Sequence, residues 1–301
     1  MKPIAIPVSG KYSSALTLMR IPFSVYLMPV YWFALSVADG YTFVQALGVF
    51  VILHLLVYPA SNGYNSYHDR DESSIGGLKQ PPQVTQELFH LVVLFDVAAV
   101  LFSFFLSPLF ALMVAVYLLV SKAYSYRGIR LKKYPIISTV VVTIFQGAFT
   151  FLMVQVGSGL NLQQVVQTPN IWFALVSTLF LCGSYPLTQI YQHQEDSQRG
   201  DRTLSLLLGV RGTFLFAGIS LALGATLLIG LYLAAGQLLN VLIFLLCTAP
   251  ITYFFARWVI KSWRNEEEVN FENTMRMNKI SSLCISLAFI LMLVLRFVYT
   301  S

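Results

Sequence analysis

Long apolar runs alternate with short polar clusters along this chain, and the spacing of the two predicts its architecture. Nine apolar stretches lie near residues 16–36, 42–60, 88–106, 108–123, 135–156, 170–190, 211–234, 237–260 and 279–299. Each comes close to the roughly 20 residues that a membrane-spanning helix needs. The fourth is the least sharply bounded, because Pro108 opens it and the turn before it is only "LSP". The pattern predicts an all-α membrane protein of nine transmembrane helices.

Two of the polar clusters repeat. "YPASNGYNSYHD" at 58–69 and "YPLTQIYQHQED" at 185–196 align without a gap across an offset of 127 residues. Tyr58/Tyr185, Pro59/Pro186, Tyr64/Tyr191 and Asp69/Asp196 are identical pairs, while Ser61/Thr188, Asn62/Gln189 and Asn65/Gln192 exchange like for like. Four predicted spans separate the two copies, and an even number of crossings returns the chain to the same side, so the repeats are parallel. The same offset carries Arg130 of "YSYRGIRLKKYP" onto Arg257 of "FARWVIKSWR". The expected organisation is a single domain over 1–301. Two parallel four-helix repeats, about 16–133 and 135–264, surround a central cavity, and a ninth helix, about 279–299, is appended. Pro59 and Pro186 each remove a backbone N–H near the end of a span. Irregular backbone at that depth is tolerated where it lines a cavity.

Composition supports the membrane reading. The chain is 57% hydrophobic and 11% charged, with a mean hydropathy of +0.71, which excludes an ordinary soluble domain. The 19 Lys and Arg residues set an orientation. With the N-terminus inside, Lys2, Lys11 and Arg20, which precede or open the first span, and the basic residues after the second, fourth, sixth and eighth spans are all cytoplasmic. Only Arg296 falls on the other side, and the outer connections "VADGYT", "LSP", "VGSGLNLQQVVQTPN" and "AAGQ" carry no Lys or Arg. The net charge of +6 is therefore topology, and nucleic acid is not implied. The first apolar run has no signal-peptide cleavage pattern and is expected to stay as a span. Cys182, Cys247 and Cys284 all fall in apolar spans without ligand spacing and read as small hydrophobes.

On a helix, residues at i, i+4 and i+8 share one face. Ser61, Asn65 and Asp69 form one such row of oxygens, and Thr188, Gln192 and Asp196 form another. Asp71 and Glu72 extend the first site; Glu195 and Asp201 extend the second. Hard oxygen ligands suit Mg²⁺, which keeps waters and completes its shell with substrate phosphates. Lys79, Arg130, Lys132, Arg199 and Arg202 face these acids in the sequence. Acids interleaved with bases at a membrane edge suit a divalent cation held together with a phosphorylated anion on a lipid tail.

These motifs resemble those of the UbiA superfamily of intramembrane prenyltransferases, over nearly the whole chain. The family has nine spanning helices, a NDxxDxxxD motif after the second and a DxxxD motif after the sixth; "SNGYNSYHD" and "QHQED" stand in those places here. "RGDRTLSLLLG" at 199–209 is similar to the segment after the second motif. "RGIRLKK" at 127–133 is similar to the basic segment whose lysine contacts diphosphate, which implies that role for Lys132, and Lys79 stands where the family has a basic residue before a proline. The resemblance implies Mg²⁺-dependent transfer of a prenyl group from an allylic prenyl diphosphate to an aromatic, quinone-precursor-like or other lipophilic acceptor, with release of diphosphate. Two Mg²⁺ ions would bridge the motifs to the substrate. The implied catalytic residues are Asp69, Asp196 and Lys132. The implied metal ligands are Asn65, Asp69, Gln192, Asp196, Glu195, Asp71 and Asp201. Substrate contacts fall to Ser61, Lys79, Arg130, Lys132, Arg199, Arg202, Tyr64, Tyr191 and Tyr126. The implied setting is the cytoplasmic or inner membrane, with the active-site loops on the cytoplasmic side. Asn65 and Gln192 are amides where the family carries acids, at matched places in the repeat, and Ser61 stands for an asparagine.

Three features stand outside this pattern. Asp96 lies within the third span without a partner that the sequence names. His54 falls on the helical row of Ser61, Asn65 and Asp69 and could reach toward an acceptor pocket or be a packing residue. "RNEEEVNFENTMRMNK" reads as a solvated loop before the last span. Two other functions share parts of the pattern: a transporter, from parallel repeats and an intramembrane acid, and a lipid-binding relative without prenyl transfer, from the missing acids.

Overall fold

The structure is a computed structural model that describes residues 10–300; Lys2 and the side chains of Lys11 and Arg199 lie outside what it describes. Among the described residues, nine helices are long and apolar enough to cross a membrane. They are α1 (Tyr12–Ser36), α2 (Phe43–Asp69), α3 (Gln86–Phe104), α4 (Pro108–Ser125), α5 (Pro135–Gly157), α6 (Thr168–Gln198), α7 (Leu204–Ala234), α8 (Leu238–Arg264) and α9 (Phe271–Val298). No strand occurs among the described residues, and an isolated bridge pairs Ile75 with Leu78 in the loop after α2. The chain is an integral membrane protein.

Polar caps and prolines set the helix starts. The Thr42 hydroxyl accepts the Gln45 N–H at the start of α2, and the Ser107 hydroxyl accepts the Phe110 N–H at the start of α4. Pro108, Pro135 and Pro169 sit in the first turns of α4, α5 and α6, where an N–H would have no partner in any case. The short "LSP" turn is thus sufficient, and the fourth span forms as predicted.

The helices close into a ring. α2, α3 and α4 pack in sequence, α5 lies against α1 and α6, α6 against α7, and α9 against both α8 and α1. The ninth helix is therefore part of the wall and not an appendage. It begins at Phe271, so most of the predicted loop before it is helical. Only a short turn remains, pinned where the Trp258 indole N–H donates to the Glu268 carbonyl at 2.8 Å. Large apolar side chains on the outside, such as Phe105 at 84% and Leu246 at 75% exposure, form the surface that lipid tails cover.

Small residues bring helices together where backbones nearly touch. Gly147 lies in a wide-turn π segment of α5, Phe145–Phe149, and a Cβ there would stand 2.7 Å from the Thr178 Cα on α6. The Ala148 N–H donates to the Thr178 hydroxyl at 3.1 Å across the same contact. Gly147→Val is expected to cost about 1–3 kcal/mol, the usual range for overpacking, read as a lower unfolding midpoint in detergent.

Arg296, the base that the Lys and Arg count leaves on the other side, ties α9 to the end of α1. It donates to the Ala38 carbonyl at 2.6 Å and the Ser36 carbonyl at 3.4 Å, and pairs with Asp39, which is 88% exposed. Arg296→Ala should lower stability by about 1–2 kcal/mol through the lost charge-assisted bonds. Asp39→Ala should change little, because an exposed pair adds little. Unfolding curves of the two variants check the ordering.

Candidate active site

The two repeated motifs fold differently. In α2 a π segment, Ile52–Val57, precedes Pro59, and the helix then runs unbroken from Tyr58 to Asp69. The wider turns accommodate the proline ring and its missing N–H. In α6 the regular helix ends at Leu187, just past Pro186. A 3₁₀ turn, Ile190–Gln192, and a short helix, His193–Arg199, follow. Ser61, Asn65 and Asp69 share a helix face as predicted; Thr188, Gln192 and Asp196 are not on one continuous helix. They nevertheless reach the same cavity.

That cavity has a volume of about 420 Å³, within the range of small-molecule sites. At one end both motifs line it, through Ser61, Asn65, Asp69, Thr188, Gln192 and Asp196. Asp71, Glu195, Asp201, Lys132 and Tyr191 join them. Elsewhere the wall includes Phe33, Phe145, Phe180, Leu221, Ile285 and Phe289. Polar and apolar surfaces therefore meet in one chamber.

The polar end is held by ion pairs from the loop between α4 and α5. Arg130 adopts the left-handed conformation (φ 45°) before a single 3₁₀ turn, Leu131–Lys133. This turn brings Lys132 to the cavity wall, where its Nζ donates to Asp69 Oδ1 at 2.6 Å and lies 3.2 Å from Asp201 Oδ2. Arg130 donates Nε–H to Asp201 Oδ1 at 2.9 Å and Nη2–H to Oδ2 at 2.8 Å. Asn65 donates to Asp69 Oδ2 at 2.7 Å and to the Ser125 hydroxyl at 2.9 Å.

Three positions of the "RGDRTL" segment have mechanical roles. Gly200 takes the left-handed conformation (φ 71°) that ends the short helix, and the Asp201 N–H returns to the Asp196 carbonyl at 2.9 Å. Thr203 caps α7, and its hydroxyl donates to Asp196 Oδ2 at 3.2 Å. Gln192 donates to the Ser74 carbonyl at 3.0 Å, which joins the second motif to the loop after the first.

Burial would raise the Asp201 carboxyl, but the Arg130 hydrogen bonds and the Lys132 charge outweigh it and hold the group below the usual aspartate range. A lowered native pKa means that the stabilisation is complete above the ordinary aspartate value near 4 and is lost as pH falls through the lowered one. The stability gap between the wild type and Asp201→Asn should accordingly stay constant from neutral pH down to about 4 and narrow below it, as measured by thermal unfolding across pH.

Several predicted substrate residues lie off this wall. Lys79 is 71% exposed and paired with Glu272, because the Ile75–Leu78 turn presents Ile75 and Gly76 to the cavity instead. Arg202 is exposed, one residue beyond the buried Asp201. Arg130 acts through Asp201 and does not line the cavity. Tyr64 lies 4.9 Å under the Lys122 ammonium, and Tyr126 is half-exposed beside His68. The Arg199 side chain lies outside the described residues. Asp96 does have a partner: Lys122 on α4 donates to it at 2.9 Å. His54 is buried among Phe50, Tyr31 and Tyr58, with Nδ1 3.1 Å from the Phe50 carbonyl, and does not reach the cavity wall.

Other wall residues were given no site role by the sequence reading. Arg20, buried and left-handed (φ 50°), donates to the Gly76 and Asn62 carbonyls, each at 3.2 Å, with Asp71 and Asp69 close by. Its signal was an arginine inside an apolar run, read only as topology. Tyr124 on α4 and Tyr185 on α6 meet hydroxyl to hydroxyl at 2.7 Å. The repeat marked Tyr185, but its counterpart Tyr58 packs in the core near Tyr117 instead.

The comparisons agree with this fold. The UbiA prenyltransferase family model matches residues 26–280. The chain belongs to the UbiA prenyltransferase family. Among solved structures, a UbiA homologue from Archaeoglobus fulgidus bound to GPP and Mg²⁺ is 16% identical, with a TM-score of 0.65 over 93% of this chain and 99% of that one. The same homologue bound to DMAPP and Mg²⁺ gives 14% identity and a TM-score of 0.62 over the same shares. A digeranylgeranylglyceryl phosphate synthase gives 17% identity and a TM-score of 0.57 over 93% of this chain and 96% of that one. No curated protein matches the sequence significantly.

Proposed function

We propose that this protein is a Mg²⁺-dependent intramembrane prenyltransferase. It would move a prenyl group from an allylic prenyl diphosphate to an aromatic or other lipophilic acceptor and release diphosphate. The observation that carries this reading is the single chamber in which both polar motifs meet an aromatic, apolar wall. A diphosphate fits the first surface and a prenyl chain the second.

The donor set suits Mg²⁺ in kind. Carboxylate and amide oxygens from both motifs line the polar end, and such oxygens are the ligands that hard cation prefers. Among the described residues, however, no group of three or more His, Cys, Asp or Glu side chains is arranged to hold a metal. Diphosphate oxygens and water would therefore complete the shell around Asp196, Glu195 and Gln192. When bound, Mg²⁺ would supply Lewis-acid stabilisation of the charge that develops on the leaving diphosphate.

The chain's own residues do the rest. Lys132 and Arg20 set fixed positive charge at the polar end, where it favours the developing anion. Phe145, Phe180 and Phe289 hold the prenyl chain and exclude water, and aromatic faces stabilise positive charge at the allylic carbon. On this reading residues 16–133 and 135–264 are two halves that each contribute one motif. The distribution of Lys and Arg supports a cytoplasmic placement for the N-terminus and the polar end.

The test is product formation by the full-length protein in lipid nanodiscs. Prenyl diphosphates of several lengths would be supplied with and without aromatic acceptors, with mass-spectrometric detection. Prenylated acceptor that forms with Mg²⁺ and vanishes with EDTA supports the reading and identifies the acceptor class. Absence of product from folded protein across the whole panel would reject it.

A further inference from the structure

An uncharged polar cluster stands where the two surfaces of the chamber meet. Along α6 the cavity wall passes from Phe180 and Leu181 to Tyr185 and Gln189, and then to Gln192 and Asp196. Tyr124 of α4 faces Tyr185 hydroxyl to hydroxyl at 2.7 Å, lines the same cavity, and has both Asp69 and Asp196 close by. Ser138 of α5 and Gln189 also hydrogen-bond to the Tyr185 hydroxyl. Gln189 sits in the break between the regular part of α6 and the 3₁₀ turn Ile190–Gln192, and is only 6% exposed. Its Oε1 is buried without a hydrogen-bond partner among the described residues, which is a costly state unless a bound group satisfies it.

The protons of this cluster can be assigned in order. The Ser138 hydroxyl donates to the Pro135 carbonyl at 3.1 Å, so toward Tyr185 it accepts and Tyr185 donates. With the Tyr185 proton spent, the Tyr124 hydroxyl donates to Tyr185, and Gln189 turns its NH₂ to the same oxygen. That order agrees with Oε1 as the Gln189 atom left over. The valences that remain for a ligand are Gln189 Oε1 and the lone pairs of the Tyr124 oxygen, and all of them accept. A diphosphate oxygen brings no proton to them, and a prenyl chain brings no polar group.

We propose that Tyr124 and Gln189 form the subsite for the prenyl acceptor and that they read a hydroxyl group on it. The acceptor then enters in its reduced, hydroxyl-bearing form. A quinone carbonyl or an ether oxygen would face these acceptors without a proton and leave them unsatisfied. This inference rests on the prenyl-transfer reading above and narrows its acceptor class.

The test uses the full-length protein in lipid nanodiscs with Mg²⁺ and prenyl diphosphates of several lengths. Naphthol and hydroquinone are supplied beside their methyl ethers and beside menadione, a quinone, and products are quantified by mass spectrometry. A methyl ether keeps the electron-rich ring and loses the proton. The hydroxyl compounds should show a kcat/KM at least about 100-fold above their ethers, as expected of a site built to hydrogen-bond a substrate hydroxyl, and menadione should give no product. Gln189→Met and Tyr124→Phe each keep the side-chain bulk and remove one hydrogen-bonding group. Each should raise the KM for naphthol about 5–10-fold, the worth of one hydrogen bond, narrow the hydroxyl-to-ether ratio, and leave the KM for the prenyl diphosphate unchanged. Ethers or menadione that react as well as the hydroxyl compounds would overturn the proposal, and the wild type alone can show this if a variant does not fold. A ratio that both variants leave unchanged would also overturn it, as would a Gln189→Met defect that excess Mg²⁺ repairs, which would make Gln189 a metal ligand. No product from any acceptor would instead reject the prenyl-transfer reading, so the two failures are distinguishable.

Discussion

Asp196→Asn is expected to slow Mg²⁺-dependent release of diphosphate about 10²–10³-fold, the usual scale for removing one electrostatic contributor from an active site, while the unfolding midpoint barely moves. The two effects separate because Asp196 has little structural work. The Thr203 hydroxyl that donates to it also caps α7 and can do so without the charge. Asp69→Asn should slow release to a similar extent but also destabilise the fold, since Asp69 is buried and receives both Lys132 and Asn65. Release kinetics and unfolding curves measured on the same preparations check the contrast. Unchanged release by Asp196→Asn would place the reacting diphosphate away from the second motif.

The second large effect concerns stability. Asp201→Ala is expected to cost about 3 kcal/mol, the low end of the range for breaking a buried ion pair. The loss leaves Arg130 without its bidentate partner and removes the contact that favours the left-handed turn at Arg130. Arg202→Ala, one residue away but exposed, should leave the midpoint unchanged. Denaturant titration in mixed micelles distinguishes the two. Equal midpoints would mean that the Arg130–Asp201 pair is not a fold determinant.

The spans and the first motif were legible because each rests on a periodic signal. Apolar run length marks a bilayer crossing, and a four-residue spacing marks the face that carries Asn65 and Asp69. The break at Thr188 was not legible. The same spacing in the second motif predicted a continuous helix, yet the chain turns after Leu187 and reaches the cavity through a 3₁₀ turn. Pro186 gave a warning, but Pro59 occupies the matched place without ending its helix, so proline alone does not decide. Contacts between distant segments were the least visible. Lys122 was counted as a topology signal and Asp96 as a lone acid, and nothing in either neighbourhood announces that α3 and α4 bring them to 2.9 Å. Arg20 was hidden in the same way, since positive-inside counting gave it a sufficient reason to exist. The ninth helix looked spare because it has no counterpart in the repeat. Its role is to close the ring between α8 and α1 and to supply Asn278, Ser281 and Phe289 to the cavity wall.

The account turns on one chamber that receives a diphosphate at the end built by both motifs and a prenyl chain along its aromatic wall. The most direct measurement is an experimental structure of the protein with geranyl thiodiphosphate and Mg²⁺ in nanodiscs. The expected density places the diphosphate within contact of Lys132 and beside Asp196, with the geranyl chain running along Phe145 and Phe180. Density for the analogue outside this cavity, or a diphosphate at the apolar wall, would contradict the account.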